Sequence, residues 1–120
     1  MKIKGLVIAT VFALSSVTAV FAADNEAVTA QFGWGNSAGT FQSGKHNFSG
    51  TLQAGGWNNS ITEQSGKYNK AGTAQFGFGN NSLTVQQGKA NISGTLQFGH
   101  GNDAQTYQSG KGNVSVTIQH

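Results

Sequence analysis

Catalysis needs paired acid and base groups or an activated nucleophile, and this chain offers few side chains that could serve. Its four carboxylates, Asp24, Glu26, Glu63 and Asp103, are scattered along the sequence. His46, His100 and His120 have no second histidine or acid at ligand spacing, so no metal site is expected. The absence of Cys excludes disulfides, thiol catalysis and thiolate metal sites. Gly33 and Gly35, and similar pairs, sit in turn-like stretches that do not open a helix, so they are not phosphate loops. Sequons such as Asn91-Ile92-Ser93 arise from a repeat and carry no glycosylation signal of their own. No catalytic residue, metal or cofactor is expected, and the chain does not read as an enzyme. The chemistry that remains is the amide chemistry of Gln and Asn, each able to donate and accept hydrogen bonds at once.

Those amides are strictly spaced. Gln occupies 31, 42, 53, 64, 75, 86, 97, 108 and 119 (Gln31, Gln42, Gln53, Gln64, Gln75, Gln86, Gln97, Gln108, Gln119). Asn keeps the same eleven-residue step at Asn25, Asn36, Asn47, Asn58, Asn69, Asn80, Asn91, Asn102 and Asn113. Thr recurs from Thr29 to Thr117, and Ala or Ser from Ala27 to Ser115, in the same register. Glycine follows at Gly33, Gly44, Gly55, Gly66, Gly77, Gly88, Gly99 and Gly110. Abundant Gly, Asn, Gln, Ser and Thr would otherwise suggest low complexity, but a disordered tract has no reason to hold a register.

Each unit reads N-x-[AS]-x-T-x-Q, then x-G-x-x. In the first part the fixed residues alternate, which is the period of a β-strand with one face held constant. The Gly-containing remainder tolerates positive φ and reads as a tight reversal. Nine strands are therefore expected, at 25–31, 36–42, 47–53, 58–64, 69–75, 80–86, 91–97, 102–108 and 113–119. A second period decides how they pair. Lys45, Lys67, Lys89 and Lys111 follow the even-numbered units. Phe32-Gly33-Trp34, Phe76-Gly77-Phe78 and Phe98-Gly99-His100 follow odd-numbered ones, and Ala54-Gly55-Gly56-Trp57 departs from the pattern. Like turns stack on like turns if strands pair in parallel two units apart. The expected fold is all-β, a two-sheet parallel β-solenoid with 22 residues per rung, rather than an antiparallel meander.

The ladder face, Asn, Ala/Ser, Thr and Gln, is expected inside, because the other face holds Glu63, Lys70 and Asp103, which are hard to bury. In a parallel stack each amide can donate to one neighbour and accept from the other. Each such bond contributes about 0.5–1.5 kcal/mol net, and an orphaned buried amide costs about 1–3 kcal/mol. The outer face then carries an apolar strip of Phe48, Leu52, Ile92, Leu96, Val114, Val116 and Ile118, expected to serve lateral packing of filaments or attachment to an apolar surface. The lysine column places like charges along the stack, with matrix polysaccharide or a host surface as a candidate partner. The chain has no Arg and no basic patch of the kind that binds nucleic acid, so no nucleic acid is expected.

Residues 1–22 read as a secretory signal peptide: Lys2 and Lys4, an apolar stretch from Gly5 to Leu14, then Val20-Phe21-Ala22 before an expected cleavage. Residues 23–120 are expected to form one repeat domain, which the signal peptide would direct out of the cytoplasm. The end strands at 25–31 and 113–119 carry nothing that reads as a cap. Edges left open in this way promote pairing with another chain.

The run Q-x-G-x-x-N-x-[AS]-x-x-x-Q, from Gln31 to Gln42 and onward to Gln119, closely resembles the curlin repeat of curli subunits, the secreted bacterial amyloid proteins. The resemblance spans essentially the whole of residues 23–120. It implies a cross-β, amyloid-forming subunit, major or minor, that polymerises head to tail into pilus-like surface fibres. These would act in biofilm matrix, cell adhesion and surface colonisation. It also implies partners: other copies of the chain, a nucleating paralogue and an outer-membrane export apparatus. Asn25 is already in repeat phase, where family members typically carry an export-targeting segment first. The alternative is a monomeric, capless β-solenoid binding module of ice-binding or adhesin type.

Overall fold

The computed structural model describes residues 15–22 and 24–120. The basic start and apolar stretch of the expected signal peptide (residues 1–14), and Ala23 at its boundary, lie outside the described residues. The described residues form strands and short corners, with no helix. The strands are β1 (Ser15–Ala22), β2 (Asn25–Trp34), β3 (Ser37–Lys45), β4 (Phe48–Gly56), β5 (Asn59–Lys67), β6 (Lys70–Phe78), β7 (Asn81–Lys89), β8 (Ile92–His100), β9 (Asp103–Lys111) and β10 (Val114–Gln119).

From β2 onward the chain alternates between two sheets, ordered β1-β2-β4-β6-β8-β10 and β3-β5-β7-β9. Every pairing among β2–β10 is parallel and in register with the repeat: Thr51 faces Thr73 and Gln53 faces Gln75 in one sheet, Thr62 faces Thr84 and Gln64 faces Gln86 in the other. This is the expected solenoid. Two neighbouring eleven-residue units make one rung, and each unit stacks on the unit 22 residues away.

The strands begin and end later than the sequence pattern suggests. The unit expected at 36–42 is strand from Ser37 to Lys45, and β4 to β9 shift alike, whereas β2 starts at Asn25 and β10 ends at Gln119 as expected. The reason is non-local. Pairing with the next rung runs on through the glycine, as Gly44 with Gly66 and Gly66 with Gly88. The expected turn glycines therefore lie within paired strands and bend them, with φ from 102° at Gly44 to 124° at Gly77. The reversal itself is two residues long, such as His46-Asn47, and its first residue is left-handed at every corner. Gly35, Gly79, Gly101 and Gly112 adopt this conformation without steric cost, but His46, Trp57, Tyr68 and Ala90 adopt it too, with φ of 58–60°.

One end of the stack differs from expectation. β1 pairs antiparallel with β2, from Ser15 opposite Phe32 to Ala22 opposite Asn25. The free edge expected at the first repeat strand concerned residues 23–120 alone; in the described chain the β2 edge is covered by residues of the expected signal peptide. A segment rich in β-branched residues (Val17, Thr18, Val20) lies two residues from an unpaired edge, and Asp24 supplies the left-handed turn residue, φ 64°. Folding back satisfies backbone groups that would otherwise face solvent.

Candidate functional site

The inside of the stack is polar. Among the described residues the buried hydrophobic side chains are Ala71 and Ala104 alone, while Asn, Ser, Thr and Gln fill the remaining interior positions. The hydrophobic effect therefore contributes little here, and the interior must be held by hydrogen bonds made in full.

The Gln column meets that demand. Nε2 of each Gln donates to Oε1 of the Gln 22 residues on, at 2.7–2.8 Å from Gln31 through Gln97. The second N–H reaches across the gap between sheets. Gln75 on β6 donates to the Asn59 carbonyl at the start of β5, and Gln64 on β5 to the Phe48 carbonyl at the start of β4, both at 2.9 Å. One side chain thus bonds along the stack and ties the two sheets together. Gln53, Gln64, Gln75, Gln86 and Gln97 are fully enclosed.

The Asn column does something else. It was expected to form a second amide-to-amide ladder, and one such bond exists, Asn69 Nδ2 to Asn47 Oδ1 at 3.1 Å. The recurring pattern is a corner staple. Asn47 Nδ2 donates to the Ser43 carbonyl of its own corner at 2.9 Å and to the Gly66 carbonyl one rung on at 3.2 Å. Its Oδ1 accepts the backbone N–H of Asn69 at 3.1 Å. Asn58, Asn69, Asn80 and Asn91 repeat these bonds. The short Asn side chain sits where the strand has already ended, so it reaches backbone rather than another amide.

The glycine column is needed for closeness as well as for φ. A Cβ on Gly33, Gly44, Gly55, Gly66, Gly77 or Gly88 would collide with the carbonyl oxygen of the glycine one rung on. At Gly99 and Gly110 the space above is open in the described chain.

The Thr and Ser hydroxyls fit less well. Thr40 Oγ1 and Ser49 Oγ approach to 3.3 Å across the sheet gap. The pairs at the same offset deeper in the stack, Thr73 with Ser82 and Thr84 with Ser93, leave all four hydroxyls without partners, as are those of Ser60 and Thr95.

On the outer face of the larger sheet the expected apolar strip is present. Phe48, Leu52, Ile92, Val114, Val116 and Ile118 are exposed, and Leu96 is half-buried. The strip is interrupted by Lys70 and flanks a groove of about 620 Å³ floored by Gly50, Gly72 and Gly94. That glycine floor was not singled out from the sequence. Its signal was a glycine at an outward strand position in three successive odd-numbered units. At the corners aromatic rings stack along the axis: Phe76 on Phe98 at 5.2 Å, Phe78 on His100 at 5.5 Å and His46 on Tyr68 at 5.0 Å.

Among the described residues no group of His, Asp and Glu could hold a metal ion, and no helix is long and apolar enough to cross a membrane. No family model and no curated protein matches the chain.

Proposed function

We propose that this chain is a structural, non-enzymatic subunit of an extracellular curli-like amyloid fibre, which grows by adding rung upon rung. The observation that carries this reading is the sameness of the interior. Gln meets Gln and Thr meets Thr at every pairing of β2–β10, and the corner glycines meet one another at every pairing among β2–β9. A rung is therefore complementary to any other rung, including one from a second copy. The bonds that join rungs within a chain are the bonds that would join chains. In the described end rung, Gln108 and Gln119 accept from below and donate inward to the Ile92 and Asp103 carbonyls. Their upper sides repeat the surface that each lower rung offers its neighbour.

β1 fits this reading as a temporary cover. It falls within the stretch expected to be cleaved after Ala22, and its removal frees the edge of β2. The curlin resemblance supports secretion through an outer-membrane export apparatus, a nucleating paralogue as partner, and roles in biofilm matrix, adhesion and surface colonisation. The threonine column from Thr51 to Thr106 is buried, which weighs against an ice-binding monomer displaying an ordered threonine face.

The repeats bond to one another and β1 pairs with β2 alone, so residues 23–120 carry the stack. The test is dilution of residues 23–120 from denaturant, followed by sedimentation and electron microscopy, with Val116→Pro alongside. In a parallel ladder the N–H groups of alternate residues point to the same neighbour. Ile92 N–H donates up the stack to the Asn113 carbonyl at 2.8 Å. Val114, its equivalent, and Val116, two residues on, therefore turn their N–H groups to the open edge. Wild type should form fibres, and Val116→Pro should keep its strand content while elongating poorly from that end. A wild-type chain that persists as a monomer refutes the proposal.

A further inference from the structure

Lys45, Lys67, Lys89 and Lys111 close strands β3, β5, β7 and β9, and each lies directly opposite the next in the ladder. All four are exposed. Strand spacing sets their backbones about 4.8 Å apart. The glycines before Lys45, Lys67 and Lys89 permit that spacing, which the ladder holds, because a Cβ on Gly44, Gly66 or Gly88 would strike the next glycine's carbonyl. The ridge is therefore rigid at its base, and only the lysine side chains must order on binding.

No acid relieves the repulsion within this row. The flanking columns are Ser43, Ser65, Gln87 and Ser109 on one side, and His46, Tyr68, Ala90 and Gly112 on the other. The chain's carboxylates stand elsewhere, Glu63 and Asp103 among them on the strand faces of the same sheet. The equivalent position at the opposite corner holds Trp34, Gly56, Phe78 and His100, so the strand-ending position does not require a lysine. A straight row of like charges with hydroxyl and amide groups beside it is complementary to a straight row of opposite charges at the same pitch.

We infer that the lysine ridge binds a linear anionic polysaccharide, of the polyuronate class, running along the stack with its carboxylates paired to the flexible lysine side chains. Duplex nucleic acid matches less well. It carries one charge per ~1.7 Å of its axis, far denser than one lysine per rung. One chain offers four lysines. Stacked chains would offer more sites to the same polymer and raise its avidity; this gain alone rests on the fibre reading.

The test is co-sedimentation of fibres with polygalacturonate, with neutral dextran and duplex DNA as comparison probes. The variants are the combined Lys45→Gln, Lys67→Gln, Lys89→Gln and Lys111→Gln protein, and Lys70→Gln, which removes a lysine from a different face. Microscopy of each variant confirms that fibres form before binding is read. Wild type should bind polygalacturonate and not dextran, and lose more than about tenfold in affinity between about 50 and 200 mM salt. The fourfold variant should lose binding at low salt, and Lys70→Gln should keep it. Equal binding by wild type and the fourfold variant overturns the inference. Tighter binding of duplex DNA than of polygalacturonate at equal salt overturns the choice of polymer. If residues 23–120 remain monomeric, the fibre reading fails separately. The same titration by calorimetry still tests the ridge, since all four lysines lie on one molecule.

Discussion

The two faces of the same strands obey different rules. Inward, β4, β6 and β8 present Thr51, Thr73 and Thr95, then Gln53, Gln75 and Gln97. Outward, the first position runs Phe48, Lys70, Ile92. Each inward Gln is the hydrogen-bond partner of its own copy in the next rung, and each inward Thr lies directly against its own copy, so a change in one rung spoils the fit of the rungs on both sides. The outer residue has no such partner and is free to vary. What the interior encodes is stacking, and what the exterior encodes is whatever the stack meets.

The sharpest way to break this comparison is at the interior glycines. Gly66→Ala forces a Cβ against the Gly88 carbonyl at φ 117°. It should cost about 4 kcal/mol or more, at the severe end for single substitutions, read as a collapse of the denaturant midpoint or failure to assemble. Gln75→Ala removes three bonds, to Gln97, from Gln53 and to the Asn59 carbonyl. It should cost about 3–5 kcal/mol once the orphaned partners are counted. Gln75→Glu sharpens the point through pH. Burial raises the folded pKa of a carboxyl at that position above its unfolded value, about 4.3. The variant's stack should therefore be most stable below that value and weaken as pH rises; assembly rates that do not change with pH would argue against a buried column.

Smaller effects have the opposite sign. Ser82→Ala deletes a buried hydroxyl that has no partner, and Ala already occupies this column at Ala71 and Ala104. It should stabilise by about 1 kcal/mol. A Cβ added at Gly72 on the outer face meets nothing within 4 Å, and the position needs no special φ, which makes Gly72→Val the matching outer change. It should be neutral or stabilise by less than about 1 kcal/mol. A Gly72→Val loss as large as that of Gly66→Ala would erase the distinction between the faces.

Much of the fold was legible because the repeat is unbroken. The alternation from Asn to Gln marks strands and their inner face, and the lysine and aromatic corners mark the 22-residue rung. The rest depends on neighbours that no local pattern reveals. Strand ends are set by pairing through Gly44 and Gly66 with the next rung. Asn47 and Gln53 carry the same amide, so spacing alone could not separate a corner staple from a ladder. The left-handed position was hinted at by Gly35, Gly79, Gly101 and Gly112, but Trp57 and Tyr68 at equivalent sites hid it. The pairing of Ser15–Ala22 with β2 was missed because that segment reads first as a leader.

The central claim is that parallel, in-register stacking continues from one molecule to the next. Fibre diffraction from aligned assemblies of residues 23–120 tests it most directly. The account predicts a meridional reflection near 4.8 Å and an equatorial one near 10 Å, from strand and sheet spacings. A lasting monomer, or assemblies without the 4.8 Å reflection along the fibre axis, would contradict it.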